Sequence, residues 1–285
     1  MLVPFCKYES IGNDFVLIES KSVKDIDLPE LSKRMCDRKF GIGSDGLLVL
    51  ETENEPYELR MFNPDGTEDF CGNGLRCSAL HLFFLHKKKN YKIFHGDEEI
   101  ETEISVGDWI DVTLPKPSFK PQDIPLRQNL DEVFETDLEI EENVFKICSV
   151  NTGSTHTVIF TDSPPDELTF QTISPKIENH EWFPKRTSVI WASKSDGKTF
   201  KIRIWERGVG ETLGCGTGSA AVAACWFRKH PGMLALVVKN PGGDTLVAKS
   251  TGGRLIVSAN AKRIYEGEFL FKTEQTHPPK EQAQV

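Results

Sequence analysis

The sequence is short of basic charge: 34 Lys and Arg stand against 43 Asp and Glu, a formal net charge of −9. A protein that grips a phosphate backbone needs a basic face, so nucleic acid is excluded as an expected partner. Long apolar runs are missing too. No stretch reaches the roughly 20 residues a membrane-spanning helix needs, so no membrane partner is expected. The opening residues, Met1 to Glu9, lack a charged region followed by an apolar one. No signal peptide is therefore expected, and the cytoplasm is the expected compartment. There is no Cys-x-x-Cys and no His-x-x-x-His pair, which removes the usual structural zinc spacings and leaves no metal expected. The 7 cysteines are odd in number and scattered, unlike a disulfide framework. A regular βαβ series with a dinucleotide loop is also absent.

What is present is an ordinary globular balance, 38% apolar and 27% charged residues over 285 positions. A chain of this size buries roughly 75% of its unfolded surface, enough for one large domain or two smaller ones. The chain also repeats itself. Met61 to Leu80 and Ile204 to Cys225 each run from a strand-like lead through a Gly/Asp-rich loop to Cys-Gly-x-Gly and then an apolar helical stretch. A weaker pair, Gly12 to Ile18 and Gly153 to Ile159, lies upstream of each. The cysteines Cys71 and Cys215 are 144 residues apart, too long a period for a solenoid and right for a duplicated domain. Between the copies lies an acidic, Pro-bearing stretch from Gln122 to Glu142, a linker or a solvated strand and turn. The residues from Thr273 to Val285 read as a loose polar tail.

Period-2 stretches such as Trp109 to Leu114 and Lys201 to Trp205 predict strands. Helices are predicted at Gly74 to His86 and Gly218 to Lys229. The pattern predicts an α+β fold with many short strands and a helix in each half. A cysteine at a helix start feels free N–H groups and the positive end of the helix dipole. That effect alone lowers a thiol from about 8.5 to roughly 7, suited to a general base. Two such thiols face to face would share one proton. One could take a proton from one face of a carbon acid while the other delivers a proton to the opposite face. A lone cysteine before a Gly-rich turn is more often structural, but the duplication weakens that reading. Cys6, Cys36, Cys77, Cys148 and Cys225 sit in apolar contexts and read as core.

Taken together, Gly12-Asn13-Asp14-Phe15, Asn63-Pro64-Asp65-Gly66 with Cys71-Gly72-Asn73-Gly74-Leu75-Arg76-Cys77, and Glu206 to Thr212 with Cys215-Gly216-Thr217-Gly218 resemble the diaminopimelate epimerase family. The resemblance runs from Tyr8 to about Phe271. It implies two pseudo-symmetric duplicated domains, each a mixed or antiparallel sheet wrapped around a central helix, with the active site in the cleft between them. The expected division is 1–119, with a returning strand near 264–272, and 120–263, followed by the tail. It implies cofactor-free epimerisation of LL- to meso-2,6-diaminopimelate for lysine and peptidoglycan-precursor synthesis, without pyridoxal phosphate and in a homodimer. Cys71 and Cys215 would be the acid and base. Asn13, Asn63, Gly72, Asn73, Ser154, Ser188, Glu206, Arg207, Gly216 and Thr217 would line the substrate, with His156 in support. Arg207 and Asn63 would meet the distal carboxylate and Glu206 the distal ammonium, while the two helix starts hold the reacting carboxylate.

Three departures stand out. Ser154 and Ser188 replace family asparagines expected at the distal end, and the loop from Asn63 to Cys71 is one residue short. Serine lacks the amide fork, so a looser substrate choice is expected. The alternatives are a racemase of another acidic amino acid such as glutamate on the same scaffold, or a thiol redox or binding module without catalysis.

Overall fold

The computed structural model describes residues 1–105, 109–127 and 131–271. The tail expected at 273–285 lies outside the described residues. The first half holds seven strands: β1 (Leu2–Ser10), β2 (Asn13–Glu19), β3 (Gly46–Leu50), β4 (Tyr57–Phe62), β5 (Asn90–His95), β6 (Glu98–Ile104) and β7 (Trp109–Leu114). Helix α1 (Leu28–Cys36) links β2 to β3, and α2 (Gly72–His86) links β4 to β5. The second half opens with β8 (Thr136–Ile140), in the acidic stretch, then β9 (Asn143–Asn151) and β10 (Thr155–Thr161). It continues through α3 (Glu167–Glu178), β11 (Ser188–Lys194), β12 (Thr199–Glu206), β13 (Gly210–Thr212) and α4 (Gly216–Lys229). It closes with β14 (Ala235–Asn240), β15 (Gly243–Lys249), β16 (Leu255–Asn260) and β17 (Lys262–Leu270).

The strand pairings carry the duplication. The order β1-β2-β3-β4-β5-β6-β7 is antiparallel, parallel, antiparallel, parallel, antiparallel, antiparallel. The order β9-β10-β11-β12-β14-β15-β16 has the same sequence of senses. The copies join where β7 pairs antiparallel with β16. Each copy's outer edge is extended by a strand that follows the other copy: β8 pairs with β9, and β17 returns to pair with β1.

Each sheet curls around one helix. Helix α2 is buried from Gly72 to Leu82, and α4 from Gly216 to Cys225. A helix apolar on every side belongs in a core, which explains the Leu-, Ala- and Val-rich runs that follow the glycines. Helices α1 and α3 lie outside the sheets over smaller apolar clusters centred on Leu31 and Met35, and on Phe170 and Ile177. Both outer helices are capped by aspartate: Asp27 accepts from the Glu30 N–H and Asp166 from the Thr169 N–H. Aspartate is a favoured cap. The inner helices have no such cap, and that difference leads to the site.

Candidate active site

The caps of α2 and α4 are cysteines. Cys71 has φ −137° and ψ 106°, and Cys215 has φ −136° and ψ 111°. Each sulfur accepts a hydrogen bond from the backbone N–H three residues on, Gly74 and Gly218, at 3.3 Å in both cases. The helices therefore start two residues earlier than the sequence pattern predicts, because Gly72-Asn73 and Gly216-Thr217 already form the first turn. Glycine is needed inside that turn. A Cβ at Gly74 would sit 2.8 Å from Leu48 of β3, and one at Gly218 2.9 Å from Ile190 of β11. The cysteine N–H groups are held in parallel fashion. Cys71 N donates to His95 Nε2 at 2.9 Å, at the end of β5, and Cys215 N to Asn240 Oδ1 at 3.4 Å, at the end of β14.

The two helix starts abut. A Cβ at Gly72 would lie 3.6 Å from Thr217 Cγ2. Asn73 Nδ2 donates to the Gly214 carbonyl across the halves at 3.0 Å. Between them is a cavity of about 140 Å³. Its walls include both cysteines and every residue singled out from sequence: Asn13, Asn63, Gly72, Asn73, Ser154, His156, Ser188, Glu206, Arg207, Gly216 and Thr217. Seven residues not singled out there also line it: Asp45, Met61, Pro64, Asp69, Phe70, Val209 and Thr212. Asp69, Phe70 and Thr212 fall inside the repeated motifs. Asp45 ends the loop into β3, outside the repeated motifs, and no sequence signal pointed to it.

The electrostatics correct one expectation. Dipole reasoning alone places the thiols near 7. In the folded protein burial outweighs the helix dipole and the N–H donors, pushing Cys71 up to about 12 and raising Cys215 further. Glu206 is pushed up to about 7, first by burial, against the pull of the hydrogen bonds from Thr212 and the Cys215 thiol. His156 falls to about 3 through burial and the Arg207 charge, so its ring is neutral. It joins a chain of hydroxyls: His156 Nε2 is 3.0 Å from Thr217 Oγ1 and 2.9 Å from Ser154 Oγ, and Thr217 Oγ1 is 3.3 Å from Cys215 Sγ. At the outer end, Arg207 pairs with Asp69 at 3.2 Å, and Ser188 Oγ accepts from the Arg207 N–H at 3.1 Å. Asn63 Nδ2 donates to Thr67 Oγ1 at 3.1 Å.

Solved structures share this architecture at low sequence identity. A phenazine biosynthesis protein from Bacillus anthracis superposes with TM-score 0.66 at 16% identity, over 95% of this chain and 100% of the other. A hydroxyproline epimerase from Agrobacterium vitis, with bound trans-4-hydroxy-L-proline, gives TM-score 0.66 at 9% identity over 94% and 92%. The fold thus defines a class of duplicated α+β proteins with a helix inside each half. Within that class, the family model for diaminopimelate epimerase matches residues 5–119 and 148–261. The diaminopimelate epimerase of Acinetobacter baylyi is 37% identical over 244 residues, 82% of this chain and 85% of that protein. That of Pelotomaculum thermopropionicum is 34% identical over 285 residues, 94% and 99%. The chain belongs to the diaminopimelate epimerase family.

Proposed function

We propose that this enzyme interconverts LL- and meso-2,6-diaminopimelate by exchanging a proton between two faces of one α-carbon. The observation that carries the reading is the matched pair of cysteine-capped helix starts in one cavity. One thiolate removes the α-proton and the opposite thiol delivers its own, so the pair exchanges roles with no net change. First-turn N–H groups at Gly72-Asn73 and Gly216-Thr217 hold the reacting carboxylate and the charge that develops on it. Glu206, beside Cys215, is the local acceptor for that thiol's proton. Because acid and base are both side chains, the reaction runs without pyridoxal phosphate.

The cavity charge supports a diamino substrate. Asp45, Asp69 and Glu206 face a single Arg207, a set that matches two ammoniums better than the one of glutamate. Ser154 and Ser188 both spend their hydroxyls inside the protein, which supports a looser hold on the distal end. The test is appearance of solvent deuterium at the α-carbon, on diaminopimelate and on glutamate. Expected is fast exchange on diaminopimelate, slow exchange on glutamate, and no epimerisation in Cys71→Ala or Cys215→Ala. Wild-type epimerisation in either variant would overturn the two-base reading. A chain that exchanges only glutamate would overturn the substrate.

We further propose two lobes, 1–119 with the strand near 264–272 and 120–263, that close on the substrate in a cytoplasmic homodimer. Exposed Leu2, Ile264, Tyr265 and Leu270 along the β1/β17 edge support pairing of two copies. Sedimentation of the intact protein reads the mass directly, and a monomer at micromolar concentration would reject the dimer.

A further inference from the structure

Arg76 lies in the second turn of α2 and is fully buried. Its Nε donates to Ser10 Oγ of β1 at 2.9 Å, and its Nη2 donates to Asn73 Oδ1. Its Nη1 has no hydrogen-bond partner. A Cβ added at Gly216 would sit 3.0 and 3.1 Å from the two Nη atoms, so the guanidinium lies flat against the first residue of α4. Among the described residues no carboxylate comes within salt-bridge distance of it. It does not reach the cavity wall, so it does not touch substrate.

This is an unfavourable place for a cation. Burying an unpaired charge is costly, and two helix N-termini add positive potential rather than offset it. Arginine stays protonated in proteins, so the charge cannot be shed. The groups whose ionisation acts on it are Cys71 and Cys215, which line the cavity, and Cys77, which is sealed in the core. Other charged groups near the centre are Glu206, acting on both cavity cysteines, and Glu9, acting on Cys77. Arg76 pulls the Cys71 thiol down, against burial and against Glu206.

We propose that Arg76 is a positioning residue of the two-cysteine centre: its guanidinium ties the two helix starts together and supplies the positive charge against which one thiol ionises. The proposal rests on the two-base reading, but its test needs no substrate. The ligand-free protein is alkylated with iodoacetamide across pH, and labelling at Cys71 and Cys215 is resolved by peptide mass. Only thiolate reacts, and its fraction falls tenfold for each unit of pKa rise. Expected is at least tenfold slower labelling in Arg76→Gln at pH 8, and labelling within about threefold of wild type in Arg76→Lys, which keeps the charge and loses the fork. A folded Arg76→Gln that labels at the wild-type rate would overturn the proposal. So would an Arg76→Lys slowed as much as the glutamine variant. Should Arg76→Gln fail to fold, Arg76→Lys decides alone: near wild-type labelling supports the charge role, and tenfold loss rejects it.

Discussion

At the scale of single residues, the site holds its groups away from their solution preferences. Glu206 shows the cost. Its carboxyl, near 4.5 when exposed, rises to about 7 in the fold because burial disfavours the charge. Between these values the native state binds more protons than the unfolded one, so stability falls as pH rises through the window. At pH 8 the penalty reaches at most about 3 kcal/mol. Glu206→Gln keeps the acceptor for Thr212 Oγ1 and removes the charge. It is expected to raise the urea midpoint at pH 8, to leave it unchanged below pH 4.5, and to lower epimerisation sharply. An unchanged midpoint at pH 8 would show that the carboxylate is better solvated than the geometry implies.

Elements place these residues through parallel devices. His95 and Asn240 end equivalent strands and accept the N–H of the two cap cysteines. Because His95 Nε2 accepts, its Nδ1 carries the proton and donates to the Leu59 carbonyl at 3.0 Å. Asn240 also meets Ser219, Val238 and Thr245. Removing one partner of a buried set leaves the others unpaired, at about 1–3 kcal/mol. Asn240→Ala and His95→Leu are each expected to lose that much in urea unfolding and to lower kcat more than they raise KM. A variant that unfolds like wild type would remove its residue from the cap. The Cys-Gly-x-Gly starts were legible in sequence because cap, sulfur and glycine are within three residues. His95 and Asn240 were not, because they become caps only when strands 24 and 25 residues downstream lie beside the helix. Nor was the raised thiol: a dipole acts locally and can be read from a motif, while desolvation depends on what the other half brings. Ala added at Gly74 would crowd Leu48, and at Gly218 Ile190; each is expected to cost about 1–3 kcal/mol by overpacking.

The duplication was legible at the scale of the whole molecule, from motifs 144 residues apart. The exchange of edge strands was not, because β8 and β17 have ordinary strand patterns that carry no record of which sheet they join. That exchange knits the halves, so burial at the junction is shared between them and so is the response to acid. Three histidines are enclosed: His81 and His95 fall to about 4 and His156 to about 3, each chiefly through burial. Unfolded, each titrates near 6.5. Between these values the unfolded chain binds more protons, so stability is lost as pH falls from 6.5 toward 4. At pH 5.5 the three together lose about 4 kcal/mol, at about 1.4 per unit each, and protonation of Glu206 returns about 2. A net loss of about 2 kcal/mol between pH 7 and pH 5.5 is therefore expected. Below pH 4.5 the Glu206 offset fades and so does the loss, because His81 and His95 then protonate in the folded protein as well. Urea midpoints across this range check the sign, and ring-proton NMR checks the cause, since three of the seven histidines should show no titration above pH 5. A midpoint that rises on acidification to pH 5.5 would mean that Glu206 outweighs the histidines, and three rings titrating normally would mean that they open to water before the sheets part.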